Sequence, residues 1–112
     1  MNAQKKQTRT FTKRDLAQHL MKQSNISLSN ATDLVDSVFT AIRETMMSAQ
    51  PELRIEIRDF GVFEVKQTKS KPKARNPKSG EIIYVPARRK THFKPGKILK
   101  KFLSQSLDNS QR

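Results

Sequence analysis

One stretch limits what this chain can fold into. Residues 66–101 carry 13 basic groups and a single acid, Glu81. Like charges at that density repel one another, so the segment cannot form the interior of a domain. The rest of the chain is close to balanced: residues 12–65 hold 6 basic and 8 acidic groups, and Asp108 offsets Arg112. Residues 1–11 add Lys5, Lys6 and Arg9, which brings the 112-residue chain to +13. The basic stretch is flanked by apolar-periodic segments and contains a strand-like run of its own. It therefore reads as a polyanion-binding surface of a folded protein and not as a tail.

Composition narrows the field further. Length fits one domain. Apolar residues make up 34%, below the usual ~45–50%. A small, apolar-poor, self-repelling domain is a poor stable monomer and is expected to bury surface against a partner. The chain has no Cys, which removes disulfides, thiolate zinc sites and a cysteine nucleophile. No signal peptide follows Met1-Asn2-Ala3, and no apolar run approaches the roughly 18 residues of a membrane span. A cytoplasmic protein is expected.

Along the chain, a first helix starts at Thr12, with Asp15 completing an acidic capping box and Phe11 and Leu16 at staple positions. It stops near Ser24-Asn25. His19, four residues after Asp15, reads as a surface contact with it. A second helix begins after Ser27, with Ala31, Leu34, Val35, Val38, Phe39, Ile42 and Met46 at helical spacing. That stripe is wide enough to pack on two sides. Met46 and Met47 read as core filler, and Pro51 lies just past the helix. Arg54 to Arg58 alternates as a strand. Asp59-Phe60-Gly61 reads as a turn, with Gly61 as the residue for positive φ. A second strand resumes at Val62, with Phe63 and Val65 on one face. Ile82 to Val85 is β-rich and Pro86 interrupts it. A last helix opens at Pro95-Gly96 and carries Ile98, Leu99, Phe102 and Leu103. The order is α-α-β-β-β-α, an α+β fold.

The middle predicts a hairpin from about Lys66 to Lys90, turning at Asn76–Gly80. Each leg of roughly ten residues extends about 30 Å. All six Phe residues lie outside it. So polar a hairpin must project as a two-stranded ribbon, barely stable alone and ordered by its ligand. A basic ribbon reaching away from a body is a device for gripping nucleic acid.

Phe60-Gly61-Val62-Phe63, then Arg75-Asn76-Pro77-Lys78-Ser79-Gly80-Glu81, then Phe93-Lys94-Pro95-Gly96-Lys97 resemble, in order and spacing, the bacterial HU / integration host factor family. The resemblance covers about residues 12–103. It implies two N-terminal helices, a three-stranded antiparallel sheet with a long protruding β-ribbon arm (about 66–90), a short C-terminal helix and an intertwined dimer. It implies arms that embrace the minor groove, with Pro77 wedged between base pairs to bend the duplex. Two positions depart from the family's habit: Ala74 and Asp59 stand where Gly is common. Residues 1–11 are extra, and read as a basic flexible extension; 104–112 read as a tail.

The residues support these roles on their own chemistry. A proline ring is apolar and rigid and lacks an N–H, so Pro77 enters a base step without stranding a donor. Arg75 suits a narrow, negative minor groove. Asn76 reads equally as a groove contact and as a turn residue. Lys66, Lys69, Lys71, Lys73, Lys78, Arg88, Arg89 and Lys90 are candidate phosphate contacts on the arm. Lys94 and Lys97 are contacts on the body, near the start of the last helix.

Catalysis finds no support: there is no metal-ligand cluster, no phosphate-cradling glycine loop, and no cofactor is expected. The rival is a small basic RNA-binding or ribosome-associated protein, against which stands the lack of an aromatic stacking stripe. Membrane binding would want a basic amphipathic helix and not a ribbon. The expectation is a nucleoid-associated protein that binds and bends double-stranded DNA largely without sequence specificity. It is expected as a homodimer, with a heterodimer with a paralogue as the alternative.

Overall fold

The structure is a computed structural model and describes residues 8–108, so the expectations for residues 1–7 and 109–112 lie outside the described residues. The chain forms two compact units, one ending at Thr45 and one starting at Met46.

The first unit holds α1 (Lys13–Ser24) and most of α2 (Leu28–Met47). Asp15 closes the start of α1: its carboxylate accepts from the Thr12 N–H at 2.8 Å and from the Thr12 hydroxyl at 3.0 Å. Those bonds, backbone first, hold the Asp15 carboxyl below its ordinary value. The carboxylate is thus committed to the cap, and no ion pair joins it to His19, contrary to the i,i+4 expectation. Asn25 ends α1 in the left-handed conformation at φ 54, which a short polar side chain tolerates. Ser27 Oγ accepts from the Asn30 N–H at 3.1 Å and starts α2. Ala17, Ala31 and Val35 are buried, with Leu20, Met21 and Ile26 packed on them. The outer half of the α2 stripe is bare: Leu34 is 51% and Val38 53% exposed.

The second unit holds β1 (Leu53–Ile57), β2 (Gly61–Gln67), β3 (Lys71–Arg75), β4 (Ile82–Val85), β5 (Arg89–Pro95) and α3 (Lys97–Leu103). Strands β1, β2 and β5 form an antiparallel sheet in the order β1-β2-β5, and β3 and β4 form a separate antiparallel ribbon. The α-α-β-β-β-α order thus becomes five strands, because each long leg breaks once. Register sets Ile55 against Phe63 and Phe63 against Phe93, so these share one face. Phe60 joins them: its ring lies 5.2 Å from Phe93, and Phe63 lies 4.9 Å from Phe93, all tilted. Such pairs contribute about 0.5–1.5 kcal/mol beyond their burial.

Two further sequence expectations are corrected. Positive φ in the first turn belongs to Asp59, at φ 65, and not to Gly61. Gly61 is needed for space: a Cβ there would meet the Lys94 carbonyl oxygen at 2.5 Å and the Phe93 ring at 2.7 Å. Met47 is not core filler; it is 76% exposed. Among the described residues, no helix is long and apolar enough to cross a membrane.

Candidate nucleic-acid interface

The arm begins where the body sheet ends. The β2–β5 ladder runs without a break from Gly61↔Pro95 to Gln67↔Arg89. Next to it, Thr68 and Arg88 clasp each other: the Thr68 N–H donates to the Arg88 carbonyl at 2.7 Å, and the Arg88 N–H donates to Thr68 Oγ1 at 2.9 Å. Glu52 takes the Gln67 N–H at 2.9 Å. Pairing then lapses around Ser70 and Pro86, and proline offers no N–H to continue it. It resumes from Lys71↔Val85 to Arg75↔Ile82, with a register shift between Lys71 and Ala74. Thr68 and Glu52 were not legible as site residues, because only the paired strands show what they join.

The tip is built mostly from its own backbone. The Asn76 N–H donates to the Glu81 carbonyl and the Gly80 N–H to the Asn76 carbonyl, both at 2.7 Å. Gly80 sits at φ 76, a conformation that side chains disfavour. Asn76 Oδ1 accepts from the Lys78 N–H at 2.9 Å, which is the turn role. Arg75 Nη1 donates to the Gly80 carbonyl at 2.8 Å and braces the loop. A guanidinium has five donors, so this bond leaves the rest of its fork free for a ligand. Pro77 stands exposed at the crown.

Lys69, Lys71, Lys73, Lys78, Arg88, Arg89 and Lys90 are all exposed. None of them makes an ion pair among the described residues. They therefore present unneutralised charge along the ribbon, the arrangement a phosphate backbone meets with release of counterions. Lys97 is exposed at the first turn of α3. Lys66 and Lys94 differ: both lie near the buried carboxylate of Glu64, at 3.7 and 3.5 Å. Among the described residues, no group of three or more His, Cys, Asp or Glu side chains is placed to hold a metal.

Comparison with known proteins agrees with this geometry. The family model "Bacterial DNA-binding protein" matches residues 11–104. The integration host factor subunit alpha of Pseudoalteromonas translucida is 39% identical over 90 residues, which cover 80% of this chain and 87% of that one. That of Psychrobacter cryohalolentis is 34% identical over 98 residues, covering 88% and 95%. In fold, the chain is similar to the protein of an Anabaena HU–DNA cocrystal structure, with a TM-score of 0.72 at 23% identity, covering 86% of this chain and 100% of that one. The motif residues now have physical reasons: Gly61 fits under Phe93, and the Gly96 N–H donates to the Phe60 carbonyl at 2.7 Å. By sequence over nearly its whole length and by fold, the chain belongs to the bacterial DNA-binding protein family of HU and integration host factor, non-enzymatic architectural proteins that bind and bend DNA.

Proposed function

We propose that two copies of this chain grip duplex DNA between their arms, that the Pro77 rings wedge into base steps and kink the duplex, and that the complex forms part of the nucleoid. One observation carries this reading: a ribbon of unpaired cations ends in an exposed proline on a tip already fixed by its own hydrogen bonds. The charges supply affinity without regard to sequence, because phosphates carry none of it. The ring supplies the bend, since unstacking a step costs a few kcal/mol that an apolar wedge offsets. A pre-shaped tip loses little entropy on insertion.

Pairing of two chains is supported by apolar residues that a lone chain leaves in water. Leu34 and Val38 on α2 are half exposed, and on α3 Ile98, Phe102 and Leu103 are 58–67% exposed. So much exposed apolar surface on a small protein marks an interaction face. The curated relatives are themselves named as subunits, which keeps a paralogue partner in view beside the homodimer. The segment before Phe11, with Lys5, Lys6 and Arg9, adds non-specific affinity in this reading.

The deciding experiment places fluorophores at the two ends of a short duplex. Wild-type protein raises transfer between them, and Pro77→Ala raises it less while still binding. If Pro77→Ala bends the duplex as sharply as wild type, the wedge assignment is wrong. Competition with double-stranded RNA separates this reading from an RNA-binding one: duplex DNA must win.

A further inference from the structure

The polar face of the body sheet holds a buried acid that the arm does not use. Glu64, at the middle of β2, is 5% exposed. Its Oε1 is buried and accepts no hydrogen bond from the described residues. Cations approach it from all three strands of the sheet. Arg54 Nε on β1 lies 3.9 Å from Oε2, Lys66 Nζ on β2 lies 3.7 Å from Oε1, and Lys94 Nζ on β5 lies 3.5 Å from Oε2. His92 stands opposite in register, and Glu56 on β1 is held by Arg54 at 2.9 Å.

These distances exceed those of well-formed charge-assisted hydrogen bonds. The acid gathers the cations without saturating them. Burial pushes the Glu64 carboxyl up, and Lys66, Lys94 and Arg54 more than offset burial, so the group lies below its ordinary value and is ionised at neutral pH. The three cationic side chains remain 49–59% exposed while the carboxylate beneath them is 7% exposed. Seen from solvent, the patch is a triangle of cations over a hidden anion, with the Arg54 corner also paired to the exposed Glu56.

We propose that this triangle is a phosphate-binding site of the sheet, that Arg54 is one of its contacts, and that Glu64 competes with DNA phosphate for the same three cations and so holds affinity down. The inference rests on the DNA-binding reading and extends it from the arm to the body. A phosphate arriving at the triangle meets Coulomb repulsion from a carboxylate a few ångströms behind it. Neutralising that carboxylate while keeping its shape leaves the same three cations with one more unit of charge to neutralise.

The test is titration of a fluorescent duplex at several salt concentrations and one pH. Glu64→Gln is expected to bind about threefold or more tighter at low salt, with the slope of log K against log salt steeper by up to about 0.9 per chain. Arg54→Gln is expected to bind more weakly, with a slope shallower by about 0.9 per chain. In the Arg54→Gln background, the gain from Glu64→Gln should shrink. Unchanged or weaker binding by a folded Glu64→Gln overturns the proposal. So does an Arg54→Gln protein with wild-type affinity and slope. Should Glu64→Gln fail to give a cooperative melt, Arg54→Gln and the Arg54→Gln/Lys94→Gln pair decide alone, because those side chains are half exposed and carry no core. Wild-type protein that ignores duplex DNA would sink the DNA-binding reading; steep wild-type binding with indifferent variants would sink only this site.

Discussion

Two ladders of the same hairpin are held together in opposite ways. In the body, β2 and β5 pair through seven consecutive residues from Gly61↔Pro95 to Gln67↔Arg89, and Phe60, Phe63 and Phe93 lock one face. In the arm, β3 and β4 pair over a shorter, shifted register, and their apolar residues face water: Ile82 is 62% and Tyr84 64% exposed. The body adds packed rings to its backbone ladder, whereas the arm has hydrogen bonds, mostly of its backbone, and no packed rings. A two-stranded ribbon with no packed face is marginal in water, so the arm's order depends on its tip and on the sheet that feeds it. In the proposed reading, stability and DNA contact therefore reside in different residues, and substitutions should separate them.

The largest effect is expected in the body. Phe93→Ala removes the ring that touches both other phenylalanines and should cost about 3 kcal/mol, read as a lowered midpoint in urea unfolding. Tyr84→Ala in the arm, an equally aromatic deletion, should stay within about 0.5 kcal/mol. If the two cost the same, the contrast between ladders fails. Gly61→Ala comes next: the added methyl meets backbone and ring, and overpacking of this kind costs about 1–3 kcal/mol.

The arm should show the converse. Lys71→Gln/Lys73→Gln should leave the melt unchanged. It should weaken binding to every duplex and make the salt slope shallower by about 0.9 for each lost phosphate contact. A wild-type slope shallower than about −2 would contradict phosphate-dominated binding altogether. Pro77→Ala should lose little affinity on linear DNA and less still on nicked or gapped DNA, where unstacking is partly done. The smallest effect concerns the cap of α1. Asp15 has its folded-state acidity raised by the Thr12 bonds, so its contribution is present above the unfolded pKa and fades as pH falls through the folded value. Asp15→Asn should be less stable than wild type at pH 7, and the two should converge below about pH 4. A difference that persists at acid pH would assign Asp15 a role other than its charge.

Much of this was legible beforehand, for local reasons. Thr12 with Asp15 fixes a helix start within four residues, and Asn76-Pro77-Lys78-Ser79-Gly80 carries its turn chemistry in its own letters. What was not legible depends on pairing across distance. That Gly61 supplies clearance follows from Phe93 lying against it, over thirty residues away. The company of Glu64 is drawn from three strands, so nothing near Glu64 in the chain announces Arg54 or Lys94. Met47 continues the helical apolar pattern and yet faces water, because periodicity says which side of a helix is apolar and not what covers it.

The Thr68–Arg88 clasp has a consequence for how such a protein can change. Everything between these two residues is joined to the rest of the sheet at one seam, secured by one main-chain bond and by the Thr68 hydroxyl, neither of which depends on the residues beyond it. A different ribbon, longer, shorter or tipped with another residue, can be spliced in at this seam while the ladder beneath keeps its register. On the proposed reading, the grip on DNA is thereby a replaceable part, free to drift in length and chemistry while the scaffold that carries it stays the same.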